Sequence, residues 1–188
     1  MTAATLSRDA AWELLCQWTE SESLRKHALA VEAVMRAYAR EYGEDEELWG
    51  ITGLLHDMDY EKYPTQEDHP FRGVEALRER GYPEVMLEAI LGHASYSGVP
   101  RTTRLAKALF AVDELSGFVI AVALVRPSKK LADVDVKAVK KKLKEKSFAR
   151  GCNREEIVQG AQELGLDLDD HIARVITALQ GVADRLGL

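Results

Sequence analysis

The sequence predicts an all-α fold, on three observations. Apolar residues recur at three- and four-residue spacing almost throughout, the alternation of a half-buried strand is hard to find, and helix start and stop residues punctuate the chain at helical intervals. Its 188 residues are enough to bury a real core in one domain of ordinary size.

The elements follow in order. After Ser21, a start signal, Leu24, Val31, Val34 (or Met35) and Tyr38 mark one face of a helix that stops at Gly43. A second helix runs from about Glu46 to the His56-Asp57 pair, and a polar loop with Pro64 follows. Pro70 fits the first turn of a third helix that Gly81 ends, and Pro83 starts a fourth that reaches Gly92-His93. The Ser, Gly and Pro of "SYSGVPRTT" predict a loop. A long helix from about Arg104 to Val125 then carries Asp113 in its middle, and two more, at about 153–164 and 168–185, close the chain. No internal repeat and no Gly-, Ser- or Pro-rich linker divides it, so one domain over residues 1–188 is expected.

Composition narrows the function. A hydrophobic content of 46% with 30% charged residues is that of a soluble globular protein, and the net charge of -6 makes nucleic acid an unlikely partner. The stretch "ALFAVDELSGFVIAVALV" is broken by Asp113 and Glu114 and leaves too short an apolar run for a bilayer, so no membrane partner is expected. The first residues lack the pattern of a signal peptide. Cys16 and Cys152 form neither a CxxC pair nor a disulfide framework, which predicts a reducing, cytoplasmic setting. The sequence sets no oligomeric state and is compatible with a homo-oligomer.

The chemistry concentrates in the histidines. Of five, four fall between residues 27 and 93, with His171 standing apart. Helical spacing from Leu24 and to Val31 points His27 at the core. His56 follows Leu54 and Leu55, His93 follows Ile90 and Leu91, and Asp113 interrupts the most apolar helix. A buried carboxylate is costly unless paired or bound to a metal. Singly, each of these residues reads as a hydrogen-bonded core group or a cap. Jointly, they point to imidazole-carboxylate ligation of a metal. A calcium loop starting at Asp57 fails, because its sixth position is Lys62 instead of Gly and its twelfth is Asp68 instead of Glu.

In the order His27, His56-Asp57, Asp113 the chain resembles the HD superfamily of metal-dependent phosphohydrolases, over about residues 20–125. His69 and His93 fall where dinuclear members carry two extra histidines. The resemblance implies an HD-type helical domain with its metal site among the central helices, the segment 126–150 and the helices of 151–188 packing on that core. It implies one metal on His27, His56, Asp57 and Asp113 and a second on His69, His93 and a bridging Asp57. The donor set favours Fe, Mn, Co, Ni or Zn over calcium, and the resemblance implies two such ions. The expected activity is hydrolysis of a small phosphorylated metabolite or nucleotide by metal-activated hydroxide. The rivals are a di-iron oxygenase of HD-like fold and a noncatalytic nucleotide- or metal-binding sensor.

No side-chain nucleophile is needed, and the chain has no GxSxG, GxxxxGK[ST] or HExxH. Ser95 and Ser97 beside His93 read as loop residues. Asp59 and Glu61 both follow the dyad. Asp59 is a candidate catalytic group that would orient water or protonate the leaving oxygen, or else a solvated loop acid, which is the reading favoured for Glu61. Glu114 points about 100° away from Asp113 around the helix. Residues 126–150 hold ten Lys or Arg against three Asp or Glu, a net +7 that leaves -13 for the rest. Most of "KAVKKKLKEK" reads as the solvated side of an amphipathic helix anchored by Val136, Val139 and Leu143. Lys129, Lys130 and Arg150, which flank turns, are the candidates for binding an anionic substrate.

Overall fold

The computed structural model describes residues 7–188 and builds them from ten α-helices and two 3-10 turns, with no strand among the described residues. Most helices begin where a short polar side chain accepts the first free amides. Ser7 opens α1 (Arg8–Trp18), Ser21 opens α2 (Glu22–Tyr42) and Asp45 opens α3 (Glu46–Leu55). Pro70 and Pro83 precede α4 (Phe71–Glu79) and α5 (Glu84–His93). Thr103 opens α6 (Arg104–Leu124), Asp135 α7 (Val136–Lys144), Asn153 α8 (Arg154–Glu163) and Asp167 α9 (Leu168–Gln180). A single turn, α10 (Ala183–Leu186), follows. Gly43 closes α2 with φ +68, a left-handed conformation that glycine adopts without steric cost.

Helix α6 is the axis of the molecule. It buries residues on every side, among them Leu105, Leu109, Val112, Leu115, Phe118 and Val122, as a helix surrounded by neighbours must. Helices α2, α5, α8 and α9 pack around it, and α3 is laid against α2. That last approach is close: a Cβ on Gly53 would come within 3.0 Å of the Val31 carbonyl oxygen. Helix α7 rests on α6 and α9 through buried Val139, with Val136 and Leu143 beside it, and Lys140 reaches Asp169.

Two features depart from the sequence reading, and a third lies beyond it. Helix α1 precedes Ser21, in a stretch for which the sequence reading gives no element. The expected helix over 168–185 breaks after Gln180, at Gly181, a residue of poor helix propensity. The turn after α7 is gathered by Arg154, whose guanidinium donates to the carbonyls of Leu143, Glu145, Phe148 and Cys152. No helix among the described residues is long and apolar enough to cross a membrane.

Candidate metal centre

Three of the four histidines are held through Nδ1, two of them by the same device. The last carbonyls of a helix lack partners of their own. His56, at the end of α3, donates from Nδ1 to the Gly53 carbonyl at 2.8 Å, and His93, at the end of α5, donates to the Ile90 carbonyl, also three residues back. His69 donates from Nδ1 to Asp59 Oδ1 at 2.7 Å. These oxygens accept, so each of the three rings carries a proton on Nδ1 and turns Nε2 toward the centre, where a cation can take the place of any second proton.

The Nε2 atoms converge, with that of His27 from α2, on two carboxylates. Asp57 Oδ2 lies 3.3 Å from His56 Nε2 and 3.8 Å from His27 Nε2, while its Oδ1 lies 3.4 Å from His69 Nε2 and 3.2 Å from His93 Nε2. Asp113, from the middle of α6, places Oδ1 2.9 Å from His27 Nε2 and 3.3 Å from His56 Nε2. Two groups able to hold a metal result, His27-His56-Asp57-Asp113 and Asp57-His69-His93, sharing Asp57.

Two observations test whether these residues fit a cation. The His56 side chain is wholly buried, and its Nε2 makes no hydrogen bond. That atom lies 3.3 Å from both Asp57 Oδ2 and Asp113 Oδ1, a position between two carboxylates that a bound cation would fill. The electrostatics agree. Burial alone would lower His56 and His93, yet Asp57 and Asp113 outweigh it and hold both above the ordinary histidine value. Burial alone would raise the carboxylates, yet His56 holds both well below their usual range, aided by His93 at Asp57 and His27 at Asp113. The centre demands positive charge, and its imidazole and carboxylate donors suit a divalent transition metal.

Asp59 needs a correction. It is wholly buried behind His69, with Oδ1 taken by His69 Nδ1 and Oδ2 accepting from the Gly73 amide at 2.6 Å. Asp59 does not line the cleft and has no exposed oxygen to offer water or a leaving group, so its geometry is that of a group that fixes the His69 ring. Glu61 is an exposed acid that tethers the chain ahead of α2, where it accepts from the Glu20 and Ser21 amides. Lys62 reaches the Gln17 carbonyl. Ser95 Oγ donates to Glu156 and Ser97 Oγ to the Leu91 carbonyl, which leaves neither hydroxyl on an imidazole base.

The centre forms the floor of a cleft of about 360 Å³, walled by Tyr60, Tyr96, Glu114, Gly117, Cys152 and Glu156. Lys129, Lys130 and Arg150 do not line it. The two lysines are exposed beyond the C-terminal end of α6, eleven residues of helix past Asp113 at about 1.5 Å each, and Arg150 is exposed beside the lining residue Gly151. The cleft lining therefore lends no support to the expectation that these three cations meet the substrate. Glu114, in contrast, turns into the cleft wall: its Oε2 accepts from the Asn153 amide, and burial, with Asp113 nearby, pushes its carboxyl pKa up. Tyr96 donates its hydroxyl to the His69 carbonyl at 3.0 Å and its pKa is pushed up to about 12 by burial and nearby carboxylates. Tyr60, Tyr96 and Glu156 carried no signal in the sequence, since each comes from a turn or a helix start that periodicity does not orient.

The protein is helical, and its central helices with the turn carrying His69 gather four imidazoles and two carboxylates into groups able to hold a metal. The HD domain family model matches residues 24–117, half of the chain, and the chain belongs to that family. The matched stretch contains all six converging residues. No curated protein and no solved structure matches the chain.

Proposed function

We propose that the chain is a metal-dependent phosphohydrolase with a dinuclear centre, acting on a small phosphorylated metabolite or nucleotide. HD-domain proteins are mostly metal-dependent hydrolases. The observation that carries the finer reading is the division of Asp57, one oxygen facing His27 and His56 and the other facing His69 and His93. A carboxylate so placed would be shared by two ions, with His27, His56 and Asp113 holding one beside it and His69 and His93 the other.

Two divalent ions held there would make hydroxide available near neutral pH and draw charge from a phosphoryl oxygen. The chain's own contributions are definite. Hydrogen bonds at Nδ1 keep the Nε2 atoms of His56, His69 and His93 aimed at the centre, and two carboxylates lower its net charge. Hydrolysis adds the oxygen of water to phosphorus and breaks the bond to the leaving oxygen, which departs as an alcohol.

The test is metal content by elemental mass spectrometry on untagged, anaerobically purified protein, followed by phosphate release from a panel of phosphomonoesters and phosphodiesters. About two metals per chain and phosphate release are expected, both abolished in Asp57→Ala while the protein stays helical. Full metal content and hydrolysis in Asp57→Ala would overturn the assignment. An oxygen-sensitive di-iron spectrum without phosphate release would replace it with an oxygenase.

A further inference from the structure

Above the metal ligands, the cleft carries carboxylates and aromatic faces, and among the described residues no ammonium or guanidinium group lines it. Glu114 comes from α6, one residue past Asp113, and Glu156 from the first turn of α8. Each has one oxygen engaged, by the Asn153 amide and the Ser95 hydroxyl respectively, and a second without a hydrogen bond. Tyr60 and Tyr96 remain 42% and 44% exposed, so their rings are available at the mouth. Tyr96 is fixed there by its hydrogen bond to the His69 carbonyl, and Tyr60 stands edge-on to the His69 ring at 5.2 Å. Beneath them, the wholly buried His56 Nε2, which makes no hydrogen bond, faces Asp57 and Asp113 in the metal cluster, so a ligand in the cleft would lie directly over that centre.

A substrate with several anionic groups, such as a nucleoside triphosphate or a phosphorylated carboxylic acid, would set its extra charges against Glu114 and Glu156 with no cation to answer them. An organic cation would meet opposite charge and two aromatic rings, the surroundings that recognise ammonium groups. Resting on the phosphohydrolase reading, we propose that the substrate is the phosphomonoester of a small amino alcohol, with its phosphoryl group at the metal centre and its ammonium among Glu156, Glu114, Tyr60 and Tyr96. The cleft volume of about 360 Å³ suits a molecule of that size. Water adds its oxygen to phosphorus, the P–O bond to the amino alcohol breaks, and the departing oxygen takes a proton from water. The products are inorganic phosphate and the free amino alcohol.

The experiment compares 2-aminoethyl phosphate with ethyl phosphate, which lacks only the amine, by calorimetry on the full metal-loaded chain. The amino ester should bind roughly tenfold more tightly. That gap should shrink to about twofold or less in Glu156→Gln, and also in Tyr60→Leu, with metal content unchanged in both. Equal binding of the two esters, or a gap that survives both substitutions, would overturn the proposal. Phosphate release is measured on the same samples. Selective binding of the amino ester with no phosphate released from either ester would sink the phosphohydrolase reading and leave the cation site standing. Turnover of both esters at equal kcat/KM would do the reverse.

Discussion

Asp59 shows what one residue can hide in a sequence. Placed two positions after the dyad it reads as a catalytic acid, yet the turn that carries it folds back so that its carboxylate meets His69, ten residues on, and the amide of Gly73. That amide needs a glycine beneath it, because a Cβ there would lie 3.0 Å from the Asp59 Cγ. The six converging residues were legible for the opposite reason: each sits at the end of an apolar run or inside one, or completes the ordered set that the others define, where an imidazole or carboxylate is costly without a partner. No such contrast surrounds Asp59. Its role predicts a graded effect. In Asp59→Asn the side chain can accept from His69 or from Gly73 but turns an NH2 toward the other donor, so metal at the His69-His93 site should weaken roughly 10–100-fold while the His27-His56 site holds. Elemental analysis after dialysis against a mild chelator should return about one metal per chain; two retained metals would remove the positioning role.

At the scale of elements, boundaries were easier to read than alignments. Ser21, Gly43, Pro70 and Pro83 mark helix ends in the structure as their chemistry requires, since caps and imino rings act on their own few residues. What fixes α6 against its neighbours was not legible, because it depends on residues far apart in the chain. Gly160 lets α8 approach so closely that a Cβ would fall 2.5 Å from the Ala111 Cα. On another side His171, from α9, donates from Nε2 to the Ala111 carbonyl and accepts at Nδ1 from the Tyr38 hydroxyl, tying α9, α6 and α2 together two residues before Asp113. Burial lowers the His171 pKa below the ordinary value. A depressed histidine costs nothing while both folded and unfolded chains are neutral, above about pH 6.5. As pH falls through that value the unfolded chain takes up a proton that the folded one resists, and stability is lost. The Tm of the wild type should therefore fall toward acid more steeply than that of His171→Gln. Parallel curves between pH 7.5 and 5 would show that His171 stays neutral in both states or is charged in both.

Across the whole molecule the centre joins four helices and a loop that are distant in sequence: α2, α3, α5, α6 and the turn carrying His69. A metal bound only by the folded chain stabilises it by mass action, about 2.7 kcal/mol when free metal is a hundredfold above Kd. For a chain of this length that is roughly 5–10 °C in Tm. The pH dependence of this gain has a definite sign. In the metal-free protein His56 and His93 are held above the ordinary histidine value by Asp57 and Asp113, so their protons stabilise the fold fully below about pH 6.5. That contribution is lost as pH rises through the elevated folded values. The two carboxylates, held low, stay ionised through this range and add no slope. Metal replaces the protons, so it competes best where they leave. The gap between metal-loaded and metal-free Tm should accordingly widen from pH 6 to pH 8.5, and His171, common to both states, drops out of the difference. A gap that is constant with pH, or equally large in Asp57→Ala, would mean that the added metal binds somewhere other than this cluster.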